Sequence, residues 1–84
     1  MAVIPINSVT SIRFTIPQES RVILTIYNTL GELVRSFEGY YPPGHHAFTW
    51  EGRNMCGNDV ASGVYLYRLA AGECQETKKM VLLK

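Results

Sequence analysis

From Thr10 to Ile16 the chain alternates: Ile12, Phe14 and Ile16 fall on one side, Ser11, Arg13 and Thr15 on the other. A period of two marks a half-buried β-strand, because successive side chains of a strand point to opposite faces. Pro17 closes the run, since proline has no N–H to give to a ladder. Arg21 to Tyr27 repeats the pattern, with Val22, Leu24 and Ile26 on one face and Ile23, Thr25 and Tyr27 on the other. Two largely apolar faces predict a central strand. Asn28-Thr29-Leu30-Gly31 reads as a turn in which Gly31 supplies a positive φ, and Leu33 to Phe37 as a third strand.

Gly39-Tyr40-Tyr41-Pro42-Pro43-Gly44, with two prolines and two glycines, is read as irregular. His45 to Trp50 is a fourth strand that places His46, Phe48 and Trp50 on one face. Residues 51–63 form a long connection rich in Gly and Asn, with a short bridge expected around Val60. Val64 to Leu69, a hairpin turn at Ala71-Gly72-Glu73, and Gln75 to Leu83 complete the series. The apolar run Met80-Val81-Leu82-Leu83 is expected to be deeply buried. No segment reads as a helix. Short strands at intervals of roughly 8–12 residues predict an all-β fold, an immunoglobulin-like antiparallel β-sandwich of about seven strands. Residues 1–84 are read as that single domain, with residues 1–7 a linker or an added start.

Composition narrows the function classes. The chain has 84 residues and a formal net charge of +1. A domain of this size buries only roughly 60–65% of the surface its unfolded chain exposes. The charge balance offers no basic face for nucleic acid, and Lys78-Lys79 with Lys84 is the one local basic cluster. No apolar stretch approaches the roughly 20 residues of a membrane-spanning helix. Met1-Ala2-Val3-Ile4-Pro5 lacks the basic start and long apolar core of a signal peptide. Cys56 and Cys74 match no metal motif. The strand between them spans roughly 20 Å at about 3.3 Å per residue. A disulfide needs Cα atoms within about 7 Å, so two free thiols are expected.

Candidate chemistry is sparse. Adjacent His45 and His46 point to opposite faces of a strand and do not converge on one ion. Ser8, Ser11 and Ser62 lie in no Gly-x-Ser-x-Gly elbow, and neither cysteine lies in a nucleophile signature. Paired-carboxylate chemistry needs an acidic pair in a cleft, and nothing in the sequence suggests one. Asn54, Asn58 and Asp59 are expected to tie down the loop after Trp50 through side-chain-to-backbone hydrogen bonds. A calcium site is the alternative there, although the spacing does not match an EF-hand. Trp50 is read as a core plug whose N–H finds a partner at the strand end. Gly63 is read as a sharp entry into a central strand carrying Tyr65 and Tyr67 on one face. These two tyrosines either pack with their hydroxyls at the rim or form a carbohydrate-binding platform. Tyr40 and Tyr41 are either an exposed aromatic pair or a cover over one end of the core. No catalytic residue, cofactor or metal ligand is assigned.

A set of strings carries a family resemblance. Asn7-Ser8-Val9-Thr10-Ser11-Ile12-Arg13-Phe14 opens it, followed by Val22-x-Leu24-x-Ile26-Tyr27-Asn28-x-Leu30-Gly31-Glu32-x-Val34. Pro43-Gly44-x-His46-x-Phe48-x-Trp50-Glu51-Gly52-Arg53-Asn54 comes next, then Gly57 and Ala61-Ser62-Gly63-Val64-Tyr65-x-Tyr67-x-Leu69. Lys78-Lys79-Met80-Val81-Leu82-Leu83-Lys84 closes it. Together they resemble the type A C-terminal sorting domain of type IX secretion substrates and its near relative, the FlgD-type immunoglobulin-like domain. The chain departs from the sorting pattern at Ile4-Pro5-Ile6, where members often carry Asn-Pro, and at Glu51, where Asp or Asn is usual.

The sorting resemblance implies a non-catalytic module that takes a cargo domain through the outer-membrane export machinery to the cell surface or beyond. Gly31, Gly44, Trp50, Gly52, Gly63 and Tyr65 would be its structural signature, and Lys78, Lys79, Met80, Val81, Leu82, Leu83 and Lys84 its recognition segment. A terminal strand at a sheet edge would also offer a route to self-association. The FlgD-type resemblance implies instead a structural or interaction module of an extracellular protein.

Overall fold

The computed structural model describes residues 2–3 and 10–83. Its elements are β1 (Ala2–Val3), β2 (Thr10–Ile16), β3 (Ser20–Tyr27), β4 (Leu33–Tyr41), β5 (Gly44–Trp50), β6 (Gly63–Ala71) and β7 (Cys74–Leu82). Six are full strands and β1 is a two-residue segment. One sheet has the order β1-β7-β6-β3-β4; the other pairs β2 with β5. Every pairing is antiparallel except β1 with β7, which is parallel at Ala2↔Met80 and Val3↔Val81.

The alternating positions meet between the two sheets. Ile12, Phe14 and Ile16 of β2 and Phe48 and Trp50 of β5 pack on Val22, Leu24 and Ile26 of β3, with Val34, Tyr65, Met80 and Leu82 closing the core. Packing two half-apolar sheets face to face is how each hides its dry side. β3 lies between β4 and β6, as its two apolar faces predict. Glycine backbone freedom matters where the chain turns between strands. Gly31 (φ 81°) closes the turn into β4, and Gly44 (φ 125°) turns the chain from one sheet to the other.

The expectations for two strands change. The segment 39–44 is not wholly irregular, because β4 continues to Tyr41 opposite Ser20. A Cβ at Gly39 would stand 3.1 Å from the ring of Tyr41, so the missing side chain makes room for that ring over the core. Only Pro42 and Pro43 break the strand. At the other end of β4 the register shifts between Ile26↔Arg35 and Tyr27↔Leu33. Val34 is the extra residue of this bulge, and it turns into the core.

The last strand is also less uniformly buried than its apolar run suggests. Met80 and Leu82 are inaccessible, Val81 is half-buried on the opposite face, and Leu83 is 46% exposed beyond the strand end. The expected linker 1–7 contains β1, whose hydrogen bonds continue the large sheet. Residues 4–9, and with them Asn7 and Ser8, lie outside the described residues, as does Lys84.

Candidate functional site

Trp50 ends β5 with its indole fully enclosed, edge-on to Tyr65 at 5.4 Å between ring centroids. Its Nε1–H donates to the Arg53 carbonyl at 2.9 Å. A buried indole needs such a partner, and the chain folds back in three residues to supply it. The loop beyond is held by Asn54, as the polar spacing predicts. Asn54 Oδ1 accepts the N–H groups of Cys56 (3.0 Å) and Asn58 (3.1 Å), and the Asn54 N–H donates to the Asn58 carbonyl (2.9 Å). The expected bridge is Arg53↔Asp59, with an exposed ion pair at 3.5 Å. Val60 N–H then donates to the carbonyl of buried Gly52 at 3.0 Å.

This loop also caps an edge of the large sheet, which sequence reasoning missed. Met55 N–H donates to the Val34 carbonyl at 3.0 Å, and Ser36 N–H points to Met55 Sδ at 3.3 Å. Arg35 reaches Glu51 at 2.7 Å while its guanidinium lies 4.7 Å from the centre of the Phe37 ring. The run Asn-Met-Cys-Gly announces a turn, but not the strand edge the turn would meet.

The tyrosines of β6 also serve the fold. Tyr65 donates its hydroxyl to the Ala61 carbonyl at 2.7 Å, and burial pushes its pKa up. Tyr67, on the same face, is raised by the same cause. With Tyr65 buried, the pair is packed at the sheet and is not an open platform. Gly63 starts β6 opposite Leu82. Tyr40 is 77% exposed, whereas Tyr41 on the other face packs edge-on against Phe14 and Phe48. The two are therefore not an exposed pair: Tyr41 covers the core and Tyr40 does not.

His45 and His46 diverge as expected. His45 Nδ1 lies 2.8 Å from Thr15 Oγ1, and His46 Nε2–H donates to the Pro42 carbonyl at 2.7 Å. Cys56 and Cys74 are free, exposed thiols. Among the described residues, no group of three His, Cys, Asp or Glu side chains is placed to hold a metal ion. No helix among them is long and apolar enough to cross a membrane.

The segment 78–84 divides sharply. Lys78 and Lys79 are exposed, and Lys78 pairs with Glu76 at 3.1 Å; that hydrogen bond raises its pKa. Met80 and Leu82 are core residues, opposite Tyr65 and Gly63. A partner meeting the folded domain can touch Lys78, Lys79 and Leu83, but not those two side chains. At the opposite end of the sandwich lies an open cleft of about 550 Å³ between Thr15–Gln18 and the β6–β7 hairpin.

Two packed sheets, a tryptophan plug and a loop given over to backbone satisfaction define an immunoglobulin-like structural domain. The chain belongs to the FlgD Ig-like domain family, whose pattern matches residues 6–74. Its fold resembles that of FlgD from P. aeruginosa, with a TM-score of 0.74 at 21% identity over 93% of this chain. The chain spans 61% of the length of that FlgD chain. No curated protein sequence matches it. Of the two relatives that the sequence resembles, the FlgD-type domain is the one matched. The matched span ends at residue 74, before the segment 78–84 on which the sorting expectation rests.

Proposed function

We propose that the domain is a non-catalytic structural and interaction module of a larger protein. Family membership over residues 6–74 carries this reading. The geometry supports it, because the histidines, the buried tyrosine, the tryptophan and the loop asparagine are each engaged in holding the fold. The same fold on a longer FlgD chain is consistent with a role beside other domains. The export-sorting reading has less behind it, since Met80 and Leu82 are inaccessible in the folded domain.

A fusion separates the two. Residues 1–84 are attached to the C-terminus of a fluorescent reporter in a cell that carries type IX export machinery. Retention of the folded fusion inside the cell is expected. Delivery to the cell surface, lost when residues 78–84 are removed from a fusion that still folds, would overturn the interaction reading in favour of sorting.

A further inference from the structure

The sandwich is unequal. One sheet has five strands and the other two, so among the described residues part of the larger sheet's inner face has no strand above it. Ring contacts of Phe48 with Phe37 and Tyr41 bring the middle of β5 over β4, the last strand of the large sheet on that side, where Phe14 of β2 also meets Tyr41; at its end β5 crosses to Tyr65 of β6. A strand added outside β5 at Phe48 would pass beyond β4, the last described strand on that side. The Thr15–Ile16 end of β2 faces the β6–β7 hairpin across the open cleft. A strand added outside β2 would lie over the inner face of β7. There Cys74 and Glu76 share a face with Ala71 and Leu69 and are exposed.

The edges of the large sheet are partly covered. Met55 occupies the Val34 carbonyl and the Ser36 N–H on β4. β7 is paired with β1 at Met80 and Val81 and carries exposed Glu76, Lys78 and Lys79 along the rest of its edge. Charges on an edge strand discourage further pairing. Among the described strands β2 and β5 pair only with each other; β2 has Arg13 as its one charge, and it is β2 that borders the cleft.

We propose that the free edge of β2 at Thr15–Ile16 accepts an extended segment of a partner protein as a third strand of the small sheet. This surface deepens the interaction reading and rests on it. The cleft states the chemistry of the segment. Ile16, Leu69 and Ala71 form its apolar wall; among the described residues its charged lining is Glu73 and Glu76, the latter also paired with Lys78 at 3.1 Å. The occupant is therefore a strand-forming stretch with an apolar side chain facing Leu69 and a lysine or arginine reaching the glutamates. Main-chain pairing supplies affinity in such strand addition, and alternate side chains supply choice.

The test is an amide NMR titration of the intact 84-residue chain with an end-blocked peptide Thr-Val-Lys-Val-Thr. Saturable shifts are expected at Thr15, Ile16, Leu69 and Glu76, with Kd below ~1 mM. A peptide with glutamate in place of lysine should bind at least about tenfold more weakly, equivalent to 1.4 kcal/mol. The variant E73K/E76K alters two exposed side chains; it should keep the native spectrum elsewhere and reverse the preference. Absence of saturable shifts, shifts confined to β4 or β7, or an unchanged charge preference in E73K/E76K would overturn the proposal. So would the same cleft shifts appearing when protein alone is concentrated, which would make the occupant a second copy. Any of these leaves the module reading to stand or fall by the reporter fusion.

Discussion

The two ends of the sandwich solve the same problem differently. At the Trp50 end the core is sealed: Trp50, Met80 and Leu82 are inaccessible, Val34 and Tyr65 are buried, and the loop 51–60 is hydrogen-bonded to itself and to β4. At the Pro17 end, Leu69 and Ala71 are only half-buried beside an open cleft. An 84-residue chain has little core, and small domains are marginal. The comparison teaches that the core is closed over at one end and bordered by an open cleft at the other, although Ile16 and Val22 are buried there too.

Substitution at the sealed end should have the largest effect. Trp50→Ala removes the largest fully buried side chain and the donor to Arg53. A loss of about 3–5 kcal/mol is expected in denaturant unfolding. Leu69→Ala at the open end should cost only about 1 kcal/mol, because part of the side chain already meets water. Equal losses at the two ends would break the comparison.

Asn54→Ala comes next, at about 1–2 kcal/mol, since two N–H groups lose their shared acceptor. It should also loosen the cap on β4, seen as faster amide exchange at Ser36. Tyr65→Phe deletes one hydrogen bond and should cost about 1 kcal/mol at neutral pH.

Tyr65 also sets a pH dependence. Burial raises its pKa above the usual 10.0, so the folded state holds the phenolic proton more tightly than the unfolded chain. The stabilisation is complete below about pH 10 and is lost as pH rises through the folded value. Alkaline melts should show falling stability above pH ~10, with a shallower fall in Tyr65→Phe. Glu38→Ala should have the smallest effect in the same unfolding measurement. It breaks the 2.6 Å pair with Arg21, but both side chains are about half exposed.

Strand existence was legible because the period of two reports directly which side chains face inward. Ile12, Phe14, Ile16, Val22, Leu24 and Ile26 could be named as core from spacing alone, and all six are buried. Trp50 was legible because a large ring at the end of an apolar stripe has few other places to go. The partition into sheets was not, since pairing of β2 with β5 is a long-range fact with no local signal. The extension of β4 through Gly39 was hidden for a related reason. Glycine and tyrosine before two prolines read as a loop until Phe14 and Phe48 supply a reason for Tyr41 to stay in the sheet. The role of Met55 was invisible because its target is the edge of a strand nearly twenty residues earlier. Of the segment 78–84, spacing showed the apolar stripe but not that Leu83 passes beyond the last pairing.

Native-state hydrogen exchange followed by NMR tests the inequality of the two ends most directly. The Trp50 indole N–H and the amides of β3 should exchange only on global unfolding, while the amides of Thr15, Ile16 and Cys74 exchange through smaller openings. An indole proton that exchanges at once, or uniform protection from one end of the sandwich to the other, would contradict the account.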